Sequence, residues 1–251
     1  MVFNASEKIL DSSSSANPPE LASFGNRLLK ASEKLISTLV YPTVTNDSVS
    51  FTLPAAEGQV FMVGPRVYLD KIPRLDTTYS SVNIDLIGIA RKNNEGSAAV
   101  AFMSYNTMEN LLKPDFFDTS NDTVKTMMST VISVTLPKTT NTKLTKPVNF
   151  IFRHIREFDH SGSLSCVYWN ISEWIVDGCS VLKTNSSHTV CSCDHLSIFA
   201  LIMQTSHPHY DMFFQSNLQQ LLMIFVYVTV GVVFILALLT LIIFIAVYSH
   251  V

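Results

Sequence analysis

Apolar residues near the start of the chain recur with a period close to that of an α-helix. The repeating positions are Leu21, Phe24, Leu28, Leu35 and Leu39. The run Pro18-Pro19-Glu20 precedes all of them and is a typical helix start, whereas Pro42 disfavours continuation beyond Tyr41. The pattern predicts one amphipathic helix over residues 21–39.

Beyond Pro42 the period of the hydrophobic pattern changes from 3.6 to 2, which is typical of β-strands. Runs rich in β-branched and aromatic residues occupy positions 49–53, 82–89, 99–102, 131–136 and 148–155. Turn-forming clusters at 92–96 and 138–142 separate some of these runs, and residues 108–112 suit a short helix between strands. The pattern predicts an antiparallel β-sandwich.

Shorter strands are predicted further along the chain, over residues 165–169, 179–183, 189–193 and 197–203. Alternate residues of the last strand form two apolar faces, with Phe199, Leu201 and Met203 on the side of Ser197, and Ile198, Ala200 and Ile202 on the other. Because both faces are apolar, we expect this strand to lie in the middle of a core.

The run of residues 221–248 contains no charge, Pro, Asn or Gln. A transmembrane helix needs about 20 apolar residues, whereas a buried core helix rarely has so long a run and normally keeps a polar face. The distribution of charge agrees, since every Lys and Arg lies at or before Lys183 and the last acidic residue is Asp211. We predict one transmembrane helix over residues 218–248.

The chain has 251 residues, of which 47% are hydrophobic and 15% charged, and its formal net charge is −3. This composition is that of a folded protein, and the lack of a basic stripe argues against nucleic acid as a partner. No glycine-rich catalytic loop occurs, and no cofactor is expected. Residues 1–8 lack the features of a signal peptide, which suggests a piece of a longer membrane protein.

All four cysteines lie within residues 166–193, and an even number in a compact cluster predicts two disulfides. Zinc is the competing interpretation because Cys191-x-Cys193-x-His195 offers suitable ligands, but structural zinc sites usually have C-x2–4-C spacing. Cys191 and Cys193 leave the same face of a strand and are disfavoured as a pair, so two of the three connectivities stay open. The two bridges are expected to hold a small knot of strands around Trp169 and Trp174, which we expect to be core aromatic residues.

Sequons for N-glycosylation occur at Asn4, Asn46, Asn121, Asn170 and Asn185. About three would arise by chance in a chain of this composition, so they give mild support to an extracellular location. No Lys or Arg follows the apolar run, so the positive-inside rule does not determine the orientation of the predicted helix. The cysteines and sequons together place the N-terminal region outside the cell.

The triplet His195-Leu196-Ser197 has the residue types for an intramolecular acyl shift. The imidazole would take the proton of the Ser197 hydroxyl, and the oxygen would attack the carbonyl carbon of Leu196. The resulting ester would be hydrolysed, leaving Ser197 as a new N-terminus. A His two residues from a Ser is common in surface loops, so the triplet alone is weak support for this chemistry.

The triplet belongs to a longer motif, Cys166-x-x-Trp169, Trp174-x-x-x-Gly178-Cys179 and Thr184-Asn185-x-Ser187-x-Thr189-x-Cys191-x-Cys193-x-His195-Leu196-Ser197-x-Phe199-Ala200-Leu201-Ile202-Met203. It closely resembles the GPS proteolysis motif of the adhesion G-protein-coupled receptors. Upstream, the run Ala101-Phe102-Met103-Ser104-Tyr105, with Met108, Leu111 and Phe116-Phe117, is similar to the branch whose ectodomains carry EGF modules. The departures are Ile202 for a more usual Leu and Ser197 for Thr, and neither alters the chemistry.

The resemblance implies a GAIN domain, in which a helical subdomain precedes a β-sandwich. Residues 1–45 would be the end of subdomain A, and residues 46–204 would be subdomain B with the GPS motif at 165–204. A juxtamembrane linker at 205–217 would lead to the transmembrane helix at 218–248. The expected fold class is mainly β, an antiparallel sandwich preceded by a short helical segment and followed by one transmembrane helix.

The resemblance also implies a disulfide pairing of Cys166 with Cys191 and Cys179 with Cys193. It implies His195 as general base, Ser197 as nucleophile and cleavage between Leu196 and Ser197, in one turnover rather than as an enzyme. The strand that starts at Ser197 would then be a tethered agonist, with Phe199, Leu201 and Met203 as its active side chains.

These expectations predict the juxtamembrane extracellular part of an adhesion G-protein-coupled receptor in the plasma membrane. Its partners would be the membrane, the rest of the seven-helix bundle, a heterotrimeric G protein in the complete receptor and an unidentified extracellular ligand. The alternative is a single-pass adhesion or decoy glycoprotein made from a truncated receptor transcript. A polycystin-like membrane protein would share the GPS motif, but the similarity to the EGF-module branch argues against it.

Overall fold

The computed structural model describes residues 17–118, 123–206 and 208–248. The chain divides into two compact units, Met1–Thr205 and Ser206–Val251. Within the described residues, the first unit contains a helix and two β-sheets, and the second is formed by one long helix. The fold class expected from the sequence is therefore confirmed.

Helix α1 spans Pro18–Ser37 and begins with a capping box, in which Asn17 and Glu20 each accept a hydrogen bond from the other's backbone N–H. The predicted helix is confirmed. Of its five predicted apolar positions, Leu21 is buried, and Phe24, Leu28 and Leu39 are partly buried against the core. The buried residues are Leu21, Ala22, Gly25, Leu29, Ser32 and Ile36, whereas Leu35 is 46% exposed. The helix approaches Leu112 closely at Gly25, where an added Cβ would come within 2.6 Å of the leucine side chain.

Thirteen strands follow in the described residues: β1 Asn46–Thr52, β2 Ala56–Val63, β3 Leu75–Asp76, β4 Ser80–Asn83, β5 Ala98–Tyr105, β6 Thr123–Met127, β7 Val131–Thr135, β8 Val148–Arg153, β9 Ser163–Asn170, β10 Glu173–Ile175, β11 Cys179–Thr184, β12 His188–Cys193 and β13 Ile198–Ser206. An eight-stranded sheet has the order β1-β2-β5-β7-β13-β9-β10, with β6 also paired to β13. A five-stranded sheet has the order β11-β12-β8-β4-β3.

Two hydrophobic cores lie on the two faces of the eight-stranded sheet. One core joins this sheet to the five-stranded sheet and includes Phe102, Phe150 and Phe199. The other core joins it to α1 and includes Leu29 and Trp174. The architecture is therefore a β-sandwich with a helix packed on one outer face.

The prediction of strand across residues 82–89 is wrong in its second half. Strand β4 ends at Asn83, and a short helix α2 spans Leu86–Arg91. The side chain of Asp85 accepts a hydrogen bond from the Gly88 N–H at 3.1 Å, which caps the helix. Residues 108–112 contain the 3-10 helix Met108–Asn110, and a second 3-10 helix spans Pro114–Phe116. The hydrophobic pattern does not predict strands β2, β3, β6 and β10.

Helix α3 spans Pro208–Tyr248 and begins inside the segment 205–217 that the sequence assigns to a linker. Its residues Leu218–Ile243 have a mean hydropathy of 2.9 and are the one candidate membrane span among the described residues, by length and composition. The hydroxyls of Thr229 and Thr240 donate to backbone carbonyls within the helix, which satisfies these polar groups internally.

Candidate functional site

The bond between Leu196 and Ser197 lies in the turn that joins β12 to β13. Both residues are half-buried, and the Leu196 side chain packs against the core between the two sheets. The backbone N–H of Val134 donates to the Ser197 carbonyl at 3.1 Å, which fixes the start of β13 against β7. The same turn borders a cavity of about 500 Å³.

Two disulfides hold the strand that leads into this turn. Cys166 in β9 is bonded to Cys191 in β12, which links the two sheets, and Cys179 in β11 is bonded to Cys193, its direct cross-strand neighbour. This is the pairing that the family resemblance implies. Disulfide sulfurs are not thiolate ligands, and the described residues contain no group of three or more His, Cys, Asp or Glu side chains arranged for a metal.

The imidazole of His195 is held by a carboxylate and by two aromatic rings. Its Nδ1 lies 2.8 Å from Asp194 Oδ1. The rings of His195 and Tyr168 meet edge to face, with their centroids 4.4 Å apart. The centroid of the Phe199 ring lies 5.9 Å from that of His195. Its Nε2 is buried and has no hydrogen-bond partner among the described residues. In the part of the chain that the structure describes, Asp194 therefore contacts one ring nitrogen of His195 and the other nitrogen has no partner.

Tyr105, the last residue of β5, also lines the cavity. Burial raises the pKa of Tyr105 to about 12, so its phenol stays protonated near neutral pH. The hydroxyl groups of Tyr105 and Ser133 share a hydrogen bond of 3.3 Å. Glu33, Asp194 and His195 line the same cavity, and His195 is the one of these that is directly followed by the Leu196-Ser197 bond.

Strand β13 is hydrogen-bonded along both edges. On one edge it pairs with β9, from Phe199 opposite Tyr168 to Gln204 opposite Ser163. On the other edge it pairs first with β7 and then with β6. The backbone groups of the strand are therefore satisfied from both sides, as in the centre of a sheet.

Both faces of β13 are buried, as the sequence pattern predicts. Phe199, Leu201 and Met203 lie in the core between the sheets, and the ring of Phe199 is 4.5 Å from that of Phe150. Ala200 and Ile202 lie in the core beneath α1, and both are fully buried. Removing the strand would expose both cores.

The two tryptophans are core aromatic residues, as expected, but the disulfides do not surround them. Trp169 and Trp174 meet edge to face at 5.1 Å in the core beneath α1, whereas all the disulfide-bonded cysteines border the core on the other face of the sheet. Successive residues of a strand point to opposite faces, which separates Trp169 from Cys166 three positions earlier. The indole N–H of Trp169 donates to Asn26 at 2.7 Å, and this bond ties β9 to α1.

Three of the sequon asparagines lie on the surface of the described residues. Asn46, Asn170 and Asn185 are all exposed. Asn4 and Asn121 lie outside the described residues. Exposure at three separate places is compatible with glycan attachment there.

Sequence reasoning missed Asp194, Tyr168 and Ser129. Asp194 could have been found from its position next to His195, because a carboxylate adjacent to an imidazole is a common hydrogen-bond acceptor for it. Tyr168 is brought to the site by its pairing with Phe199, and Ser129, between β6 and β7, accepts a hydrogen bond from the Leu201 N–H. No local sequence signal marks either residue.

Comparison with known proteins agrees with this architecture. The sequence model of the family described as GPS, GAIN subdomain B, matches residues 70–207, more than half of the chain. The chain therefore belongs to this family. The resemblance to the GAIN domain and GPS motif of the adhesion G-protein-coupled receptors is confirmed, while the branch with EGF modules stays a prediction.

Individual relatives support the same assignment. The chain is 31% identical over 142 residues to human adhesion G protein-coupled receptor E3, covering 55% of this chain and 22% of that receptor. It is 33% identical over 184 residues to latrophilin Cirl of Drosophila mojavensis, covering 60% of this chain and 10% of that protein. The chain thus spans about a fifth or less of the length of these curated relatives.

A solved structure has the same fold. The full extracellular region of zebrafish Gpr126/Adgrg6 matches with a TM-score of 0.50 at 20% sequence identity. The match covers 75% of this chain and 28% of that chain. At this identity the likeness concerns the fold alone.

Proposed function

We propose that this chain is the juxtamembrane region of an adhesion G-protein-coupled receptor that cleaves itself between Leu196 and Ser197. The region over residues 46–204 would be GAIN subdomain B, preceded by the end of subdomain A and followed by a linker and the transmembrane helix at 218–248. The N-terminal side would be extracellular, at the plasma membrane.

The cleavage chemistry follows from the residues of the turn. The Nε2 atom of His195 takes the proton of the Ser197 hydroxyl, and the hydroxyl oxygen forms a bond to the Leu196 carbonyl carbon. The bond from that carbon to the Ser197 nitrogen then breaks, and the nitrogen receives the proton. Water hydrolyses the resulting ester, giving a carboxylate at Leu196 and a free amine and hydroxyl at Ser197. The reaction happens once per chain.

The observation that carries the proposal is the position of Ser197 directly before a strand buried on both faces. Burial of a large apolar side chain contributes about 1.5 to 3 kcal/mol, and three such side chains of β13 lie in the core between the sheets. The ladder hydrogen bonds to β9 and β7 are independent of the cleaved bond. The two fragments would therefore stay together after cleavage.

The retained strand would act as a tethered agonist. Once withdrawn, Phe199, Leu201 and Met203 would be exposed on a peptide continuous with the membrane helix, and apolar side chains at alternate positions would seek a new pocket. That pocket would belong to the seven-helix bundle of the complete receptor, which couples to a heterotrimeric G protein. Binding of an extracellular ligand would pull the strand out of the sheet.

Expression in a secretory host tests the cleavage. We expect two fragments on a denaturing gel for the natural sequence and one band for Ser197→Ala and for His195→Ala. Ser192→Ala is the matched control, because Ser192 lies in β12 near the same turn and takes no part in the chemistry. An uncleaved natural chain that carries both disulfides and melts cooperatively would overturn the proposal.

A further inference from the structure

We propose that Asp194 is a positioning residue for His195, and that it sets which ring nitrogen carries the proton before cleavage. The inference rests on the proposed self-cleavage. Asp194 is exposed and makes one side-chain hydrogen bond within the described residues, the 2.8 Å contact between its Oδ1 and His195 Nδ1.

The contact determines the tautomer of the neutral imidazole. An ionised carboxylate can only accept hydrogen bonds, so the proton of the ring must be on Nδ1. The lone pair is then on Nε2, the nitrogen that is buried and unpartnered among the described residues. An imidazole without this acceptor would also populate the tautomer protonated at Nε2, which cannot act as a base there.

The position of the carboxylate is itself built into the fold. The backbone N–H of Asp194 donates to the carbonyl of Gly178 at 2.9 Å, and the disulfide between Cys179 and Cys193 joins the residues next to both. Gly178 has a φ of +74°, and a Cβ at this position would lie 2.3 Å from Asp194 Oδ1. The bare backbone of Gly178 thus leaves room for the carboxylate on the side where it meets His195.

Two aromatic rings keep the imidazole facing this carboxylate. Tyr168 and Phe199 are paired across β9 and β13, and their rings lie 4.4 Å and 5.9 Å from that of His195. Rotation of the imidazole about its side-chain bonds would have to displace these rings. The rings restrict the orientation, and Asp194 selects the tautomer.

A tautomer measurement tests the inference separately from cleavage. In the uncleaved Ser197→Ala chain, ¹⁵N NMR of the His195 ring should show a protonated Nδ1 and an unprotonated Nε2. Adding Asp194→Ala should shift the population toward the Nε2-protonated form, whereas Asp177→Ala, on an exposed carboxylate of the neighbouring loop, should leave it unchanged. An unchanged tautomer in the Asp194→Ala chain would overturn the inference while leaving the proposed function intact.

Cleavage kinetics supply the second readout. With Ser197 present, Asp194→Ala should slow cleavage about tenfold, and Asp194→Asn should restore most of the rate because its amide oxygen still accepts a hydrogen bond from Nδ1. Hydroxylamine, which cleaves the ester, should not rescue the Asp194→Ala rate, since the slowed step precedes the ester. Equal rates for the Asp194→Ala and natural chains would overturn the inference alone. An uncleaved natural chain with the expected tautomer would overturn the proposed function alone.

Discussion

The hydroxyl of Ser129 accepts a hydrogen bond from the backbone N–H of Leu201 at 2.9 Å. Ser129 is completely buried and lies between β6 and β7. At this point the neighbour of β13 on that edge changes from β7 to β6. The adjacent Met128 N–H donates to the Leu201 carbonyl at 2.8 Å. One side chain thus replaces a ladder hydrogen bond in the middle of the proposed agonist strand.

Ser129→Ala should weaken the docking of β13. The substitution leaves the buried N–H of Leu201 without a partner, which costs about 1 to 3 kcal/mol in the free energy of unfolding. Hydrogen exchange of the Leu201 amide should accelerate, and chemical denaturation should report the loss of stability. Ser165→Ala on β9 is the control, and equal exchange at Leu201 in both variants would show that the bond does not hold the strand.

Among single substitutions in β13, Phe199→Ala should cause the largest loss of stability while the strand is docked. It should also cause the largest loss of agonist activity once the strand is released. The docked ring packs against Phe150 in the inter-sheet core, and its removal costs about 3 to 5 kcal/mol of stability. The released strand should lose its largest apolar contact area.

Second-messenger output measures the released state. Cells expressing the complete receptor should respond to a peptide running from Ser197 to Thr205, and less to peptides with alanine at Phe199 or Met203. A receptor truncated to start at Ser197 should show the same order. Equal output with and without Phe199 would mean that the strand is a structural element only.

Gly178→Ala should slow cleavage through Asp194. The added methyl would meet the carboxylate and would be strained at a positive φ, so we expect a lower melting temperature as well as slower cleavage. Gly96 has a similar positive φ of +61°, and an added Cβ there would lie near Pro65 instead of Asp194, so Gly96→Ala controls for the strain alone. If both variants slow cleavage equally, the effect of Gly178 comes from stability.

Loss of either disulfide should destabilise the sandwich by about 2 to 5 kcal/mol. Replacing Cys179 and Cys193 together by Ser should also reduce cleavage, because this bridge lies next to Asp194. Replacing Cys166 and Cys191 together should act mainly on stability, since this bridge joins the two sheets and neither cysteine is adjacent to Asp194. Thermal denaturation and the cleaved fraction at a temperature where all chains are folded separate the two effects.

The parts of the fold that depend on local pattern could be predicted from the sequence. The alternation in residues 197–203 predicts a doubly buried strand because each face is read directly from the side chains. A similar alternation at residues 82–89 predicts a strand, but a helix begins at Leu86, with Asp85 as its N-cap. The contact of Ser129 with Leu201 spans 72 residues and depends on how β6 and β7 meet β13, which no local pattern encodes.

The most direct test of the account is the intact mass of the purified natural chain under native and denaturing conditions. All four cysteines precede Ser197, so neither disulfide links the two fragments. We predict a native complex heavier than the uncleaved chain by one water, which separates in denaturant without reductant into two fragments, the second beginning at Ser197. A folded chain with the uncleaved mass, or fragments that begin at another residue, would contradict the account.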